Sequence, residues 1–433
     1  MKACVLTWGC QLNALRSQEI EGVLGQAGFT VVDRPEQADV VVLNTCMVRQ
    51  RAEDKVAGRV GELSRLKQEK PFLIAVGGCM PQGRGSEILR LLPQADFAFG
   101  TTDVDKLPHL IERARAGEKF AYLPAPNGLE RLPIRRPSSF QAYVRLAEGC
   151  SHACSYCVVP RVRGPLRSRP LPEIVGELRG LAEQGYKEVT LLGQNVDAYG
   201  LDLGDGTRFA EVLRAASPIP IPWIRFTTSH PAYMEDAVMD ALAHGANLCP
   251  HVHLAVQSGS DRVLQAMNRG YTAEEFLALV GRLRRKVPEV NITTDVIVGF
   301  PGETERDFAA TVELVKEAQF GTVYVAAYSP RPGTAAAALP DDVPLQEKQR
   351  RLEALLALTR QLALDLHRRR IGTTVTVLAH QHLPEKNLVM AKTKDFRTVL
   401  VPGERALVGQ FLEVDVLAAS SGALHGRVRR GWQ

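Results

Sequence analysis

Cys150, Cys154 and Cys157 stand in a C-x3-C-x2-C spacing directly after an alternating stretch at 141–147. Thiolates are the ligands that hold iron-sulfur clusters, and three of them fill three corners of a [4Fe-4S] cubane, leaving one iron open to an incoming molecule. The bland alternative is a zinc knuckle or part of a disulfide pair. Zinc sites pair C-x2-4-C with a second pair or with histidines farther on. Here the second pair is absent, and His152 lies inside the loop, where it could hardly share such a geometry.

A second trio is scattered. Cys10, Cys46 and Cys79 each follow closely on a short apolar run, at 2–7, 39–44 and 72–76, and these runs alternate with helical stretches at 14–28 and 48–69. That order predicts an α/β unit with parallel strands. In an open parallel sheet the carboxyl ends of the strands share one edge, where ligands bind, so three distant cysteines can converge on a second three-thiolate site. Glycine before Cys10 and Cys79 permits close backbone approach. The competing reading is three separately buried cysteines, since free Cys is among the most buried residue types. Cys4, inside a strand, and Cys249, at a helix-to-strand turn, read as packing residues.

The elements that must position these groups fall into three segments. A chain of 433 residues with 45% hydrophobic content predicts two to four domains with real cores. The N-terminal α/β domain is expected over 1–118, and a linker carrying Pro124, Pro126, Pro133 and Pro137 over 119–139. Over 140–371, strands near 141–147, 187–192, 223–228, 251–257, 291–298 and 322–328 alternate with helices near 171–184, 207–216, 234–244, 273–287 and 303–319, which predicts a partial (β/α)6 barrel. In the run 251–257 the even positions are apolar, so His251, His253 and Gln257 should face a polar lumen. His-x-His as a metal pair is the alternative, without a third ligand nearby.

A helix over 344–370 should stop at Gly372. Beyond it, 372–433 is expected to form a small β-barrel from strands at 373–378, 388–392, 398–401 and 410–417. Lys386, Lys392, Lys394, Arg397 and Arg405 stud this segment, with Phe396 available to stack on a base. Residues 346–433 carry 15 Lys and Arg against 8 Asp and Glu, so the chain's net charge of +5 belongs to this end. Such a surplus is the footprint of a nucleic-acid partner or of a solvated surface. No run of 18 apolar residues exists, and Met1–Leu6 is too short for a signal peptide. A cytoplasmic location away from membranes is expected, where eight cysteines serve metal or catalysis rather than disulfides.

The motifs Thr7–Asn13, Asn44–Arg49 with Ala52–Lys55, Gly77–Cys79 and the Cys150/Cys154/Cys157 loop closely resemble the methylthiotransferases, a family of the radical S-adenosylmethionine (SAM) superfamily. The match extends to residues 372–430, similar to the family's RNA-binding TRAM domain. Leu191–Gly200, Thr228–Pro231 and Val256–Asp261 are most similar to the bacterial branch that acts on N6-dimethylallyladenosine beside the tRNA anticodon. Branches acting on a ribosomal-protein aspartate or on threonylcarbamoyl-adenosine tRNA are the alternatives. Outside the family, an iron-sulfur RNA-binding or electron-transfer protein is the remaining class, and an open-iron loop on a partial barrel argues against it.

The resemblance implies two [4Fe-4S] clusters, a radical cluster on Cys150, Cys154 and Cys157 and an auxiliary, sulfur-carrying one on Cys10, Cys46 and Cys79. It implies SAM near Gln194 and Asn195, with Gln257, Ser258 and Asp295 as further candidates for that cofactor. Gly299–Glu303 is either part of the adenine pocket or a plain strand-to-helix turn. Implied partners are a tRNA anticodon stem-loop, an electron donor such as a flavodoxin or ferredoxin, and a sulfur donor. No side-chain acid or base is expected to carry the chemistry, since an aromatic C2–H is too strong and non-acidic for general-base removal.

Overall fold

The computed structural model describes residues 1–47, 50–126 and 128–429. Val48 and Arg49, which open one of the motifs' ends and the helix expected from 48, lie outside the described residues, as do Asn127 and 430–433.

Six strands build the first sheet: β1 (Lys2–Thr7), β2 (Thr30–Val31), β3 (Val40–Thr45), β4 (Leu73–Gly78), β5 (Phe97–Phe99) and β6 (Phe120–Tyr122). All pairings are parallel, in the order β2-β1-β3-β4-β5-β6. Every residue of β3 is buried, because helices cover both faces, so a continuous Val-rich run rather than an alternating one is stable here. The helix Gln11–Gln26 packs Ile20, Val23 and Leu24 on one face, and Gln50–Glu69 packs Val56, Val60 and Leu63 on the other. The linker expected from 119 starts later, because Phe120–Tyr122 pair with β5 and Phe120 stacks on Phe97.

The central segment contributes β7 (Gln141–Arg145), β8 (Ala147–Glu148), β9 (Arg167–Ser168), β10 (Glu188–Leu192), β11 (Trp223–Phe226), β12 (His251–His253), β13 (Asn291–Val298) and β14 (Thr322–Ala327). Two three-stranded parallel sheets form, β11-β10-β7 and β12-β13-β14, bridged at Ile224 with Leu248 and at Ser229 with Leu254. One apolar core spans both, containing Val189, Ile224, Val252 and Ile292 together with helices 171–183, 209–216, 236–244, 273–286 and 305–318. The strand expected over 251–257 ends at His253, and Gln257 beyond it holds φ 75°. Short helices at 159–163 and 261–266 were not anticipated from the sequence.

After the helix Leu345–Arg368 come β15 (Thr374–Leu383), β16 (Leu388–Thr393), β17 (Thr398–Pro402), β18 (Phe411–Ala419) and β19 (Leu424–Val428), a closed barrel in the order β15-β16-β17-β19-β18. The fifth strand escaped the sequence reading because His425, Gly426 and Arg427 mask its alternation. Trp223, Cys249 and Leu378 fasten this barrel to the central segment, with Phe411 edge-on to Trp223 at 4.9 Å. No helix among the described residues is long and apolar enough to cross a membrane.

Candidate active site

Cys10, Cys46 and Cys79 follow β1, β3 and β4, which are adjacent in the sheet, so the order of strands alone delivers the three thiols to one edge. Side chains then lace the three loops together. Asn13 Nδ2 donates to the carbonyls of Trp8 and Thr45, each at 2.9 Å, and Thr45 Oγ1 donates to that of Gly77 at 2.7 Å. Gly9 holds φ 129°, and a Cβ there would stand 2.8 Å from Cys46 Cβ, so the Cys10 and Cys46 loops meet only because position 9 is glycine. Cys46 and Cys79 are buried while Cys10 is exposed.

The second trio sits on the loop between β8 and β9. Backbone bonds hold it at three points: Cys150 N to Gly164 O (3.1 Å), Cys157 N to Cys154 O (3.1 Å) and Ser155 N to Met267 O (3.0 Å). Asn268 Nδ2 donates to Ala153 O at 2.7 Å. Burial pushes the Cys157 thiol up to about 12 and raises Cys150. At Cys154 burial acts the same way, but the neighbouring His152 and the Arg269 guanidinium outweigh it and lower the thiol. Arg269, 3% exposed, donates through Nη1 to Cys154 Sγ at 3.2 Å and through Nη2 to Ala255 O at 2.6 Å.

His152 turns out to lie closer to the sulfurs than the loop spacing implied. Its ring packs 4.1 Å from that of His230, its Nδ1 is 3.3 Å from Tyr233 Oη, and donor atoms of His152, Cys154 and His230 lie within 4.8 Å of one another. Burial, with the charges of Arg269 and His152, holds His230 neutral, its pKa down at about 2.

At the carboxyl end of β10, Asn195 shares a cavity of about 140 Å³ with Cys150, His152 and Tyr233. Gln194 Oε1, both amide atoms of Asn195, Ser229 Oγ and His230 Nε2 are buried without hydrogen-bond partners. Buried polar groups are normally paired. This orphaned set beside the thiols fits a polar cofactor such as SAM, and three half-buried thiols with a guanidinium at hand fit a metal cluster, which takes thiolates. Asp295, half-buried on β13, stands with Oδ2 3.0 Å from His253 Nε2. Ser258 is not brought to the site: it is fully buried, its hydroxyl 3.3 Å from Thr311 on the helix 305–318 and accepting from Ser260 N. In the turn 299–303, Glu303 accepts from Gly299 N and pairs with Arg351, which makes that segment a strand-to-helix turn held from the C-terminal helix.

The alternation holds for the apolar positions of this run: Val252, Leu254 and Val256 enter the core while His251 bonds Thr293 at 3.1 Å. A chamber of about 140 Å³ runs from Gln11, beside Cys10, past Tyr143, Thr190 and Arg225 to Lys392 and Phe396 of the C-terminal barrel. Phe396 is not free to stack elsewhere. Its ring lies 4.7 Å from His251, with Arg225 and Lys392 against it. Burial, with the nearby Arg225 charge, lowers Lys392 to about 8. Lys394 donates to Ala246 O and Arg397 pairs with Asp395, so of the five basic residues singled out, Lys386 and Arg405 are the exposed ones.

Comparison with known proteins agrees. Residues 144–315 match the radical SAM superfamily, and residues 2–100 match an uncharacterised protein family, UPF0004. The tRNA-2-methylthio-N(6)-dimethylallyladenosine synthase of Dictyoglomus thermophilum is 40% identical over 435 residues, 99% of each chain. That of Syntrophomonas wolfei subsp. wolfei is 42% identical over 438 residues, 99% of this chain and 98% of its own. This chain belongs to that synthase family. It is a radical SAM methylthiotransferase, and the family's cofactors are SAM and [4Fe-4S] clusters. Among solved structures, the radical SAM methyltransferase TsrM from Kitasatospora setae matches with TM-score 0.58 at 15% identity, over 78% of this chain and 74% of its own. The radical enzyme OxsB matches with TM-score 0.54 at 13% identity, over 82% and 56%. At such identities the likeness is one of fold.

Arg163, Arg269 and His230 were not among the residues the sequence singled out as ligands or cofactor contacts. Arg269 lies 115 residues beyond the cysteine it bonds, and no local spacing signals such a partner.

Proposed function

We propose that this enzyme converts N6-dimethylallyladenosine next to the tRNA anticodon to its 2-methylthio derivative. Cys150, Cys154 and Cys157 would hold one [4Fe-4S] cluster and Cys10, Cys46 and Cys79 a second, with Gln194, Asn195, Asp295 and Gln257 toward SAM. The observation that supports this reading is an apolar cluster shared by the two cysteine loops, in which Cys79 packs with Met47, with Val158 directly after Cys157, and with Val162. When bound, the cofactors supply one-electron cleavage of a sulfonium and a source of sulfur, chemistry that side chains lack.

The chain's own residues bind, orient and exclude water. Orphaned amides of Gln194 and Asn195 supply donors and acceptors for the polar end of SAM. The chamber from Gln11 to Phe396 gives a base a route toward Cys10, with Gln18 Oε1 and Gln141 Oε1 unpartnered along it. The two bridged parallel sheets support a partial (β/α)6 barrel enclosing that route. The segments act as an N-terminal cluster domain, a linker, the barrel and a TRAM-like β-barrel, the last presenting Lys386 and Arg405 to the anticodon stem-loop. A flavodoxin- or ferredoxin-type reductant and a sulfur donor complete the cycle, in the cytoplasm.

Nucleoside mass spectrometry of tRNA from a strain lacking the gene tests the reading. Loss of the 2-methylthio mark on the prenylated adenosine, restored by the wild-type chain, is expected. An unchanged tRNA profile with loss of a mark on a ribosomal aspartate would reassign the substrate.

A further inference from the structure

We infer that Arg163 is a positioning residue for the N-terminal cysteine trio, delivering a buried positive charge to it from the loop that bears the other trio. The inference rests on Cys10, Cys46 and Cys79 being cluster ligands. Arg163 closes the helix Val159–Arg163, which begins two residues after Cys157. It is 4% exposed. Its Nε donates to Cys79 Sγ at 3.3 Å and its Nη1 donates to Glu148 Oε1 at 2.8 Å.

The surroundings fix both its place and its charge. Val158 and Val162 pack on Met47 and Cys79, and Thr101 Oγ1 donates to Val162 O at 2.6 Å, so the short helix is clamped by the N-terminal sheet. Glu148 also accepts from Arg16 Nη2 at 3.0 Å and stands 3.5 Å from Arg145 Nη1. Arg16 pairs with Glu130, and Arg145 with Glu19. Three guanidiniums therefore meet three carboxylates, and Arg163 alone among the three turns its other edge to a sulfur. A neutral thiol is a weak acceptor for a buried guanidinium, whereas a thiolate forms a charge-assisted bond. The contact is built for a sulfur that carries negative charge.

Adding an electron to a cluster adds negative charge near its ligands, and hydrogen bonds to the sulfurs tune the potential. Arg163 accordingly favours the reduced state of a cluster on the N-terminal trio.

The test uses the full-length chain with Cys150→Ala, Cys154→Ala and Cys157→Ala, reconstituted anaerobically so that the N-terminal trio alone can load. Iron content and an EPR-monitored redox titration are read for Arg163, Arg163→Lys, Arg163→Gln and Arg163→Met. At the potential where the parent is half reduced, Met and Gln should lower the reduced-to-oxidised ratio about tenfold, equivalent to 59 mV for a one-electron couple. Lys, which keeps the charge, should fall nearer the parent. Equal midpoints in all four proteins, at equal iron content, would overturn the inference. Should Met fail to load, Gln against Lys decides on the same criterion. A parent that binds no iron would instead remove the cluster assignment beneath it, and the two failures are therefore distinguishable.

Discussion

Arg225 is the test of whether the C-terminal barrel is latched to the lumen. Its side chain is 2% exposed, and its three nitrogens donate to Glu188 Oε2 (2.7 Å), Lys394 O (2.6 Å) and Thr393 O (2.8 Å). It thereby holds the turn that carries Phe396 against His251. Burial alone would raise Glu188, but the His380 ring 3.4 Å away and the Arg225 charge outweigh it and hold the carboxyl at about 2. Against an ordinary value of about 4.3, a fall of roughly two units at about 1.36 kcal/mol each is worth about 3 kcal/mol. Breaking a buried pair from one side costs about 3–5 kcal/mol by the same reasoning. Arg225→Met should therefore destabilise by about 3–5 kcal/mol at pH 7, read by urea unfolding in a Trp8→Phe, Trp432→Phe background, where fluorescence reports Trp223 at the same interface. The depressed pKa means that this stability is present above about pH 4.3 and is lost as pH falls toward 2. Wild type should thus lose more stability than the variant over that window. Arg225→Met combined with Glu188→Leu should recover much of the loss, because neither charge is then stranded. A cost below about 1 kcal/mol for the single variant, or no recovery in the double, would refute the latch.

Gly9→Ala must place a side chain at φ 129° and within 2.8 Å of Cys46 Cβ, so iron content of the reconstituted chain should drop from about eight to about four, as for two cubanes less one. Full iron with unchanged melting would show the loops to be slacker than drawn. Gln194→Ala and Asn195→Ala should each weaken SAM binding by about 2–13-fold, the equivalent of one hydrogen bond of 0.5–1.5 kcal/mol, measured by equilibrium dialysis. Affinity unaltered in both would move the cofactor elsewhere. Lys386→Ala and Arg405→Ala should each flatten the salt dependence of tRNA affinity by about 0.7–0.9 in log–log slope, and an unchanged slope would detach this face from RNA.

Much of the site was legible because cluster chemistry is local at the level of spacing. The Cys150 loop needs its three thiols within one turn of chain, and Cys10, Cys46 and Cys79 each close a strand whose apolar run is plain. Strand boundaries at 188–192 and 291–298 followed from the same periodicity. Where the reading fell short, the missing information lay in another segment. Phe396 and three of five basic residues looked available for RNA, yet His251 and Arg225 claim the ring, and Thr398, Ala246 and Asp395 claim Lys392, Lys394 and Arg397. Phe120–Tyr122 looked like linker until β5 offered a pairing edge.

The sequence by itself determined which thiols exist, their spacing and the β/α order that sends them to strand ends, because these depend on residue type and period alone. Only the tertiary structure decided which charges face them. Arg163 and Arg269 reach sulfurs 84 and 115 residues away. A buried guanidinium chooses its acceptor by the packing that removes water from around it, and that packing is assembled from segments whose proximity no local pattern encodes.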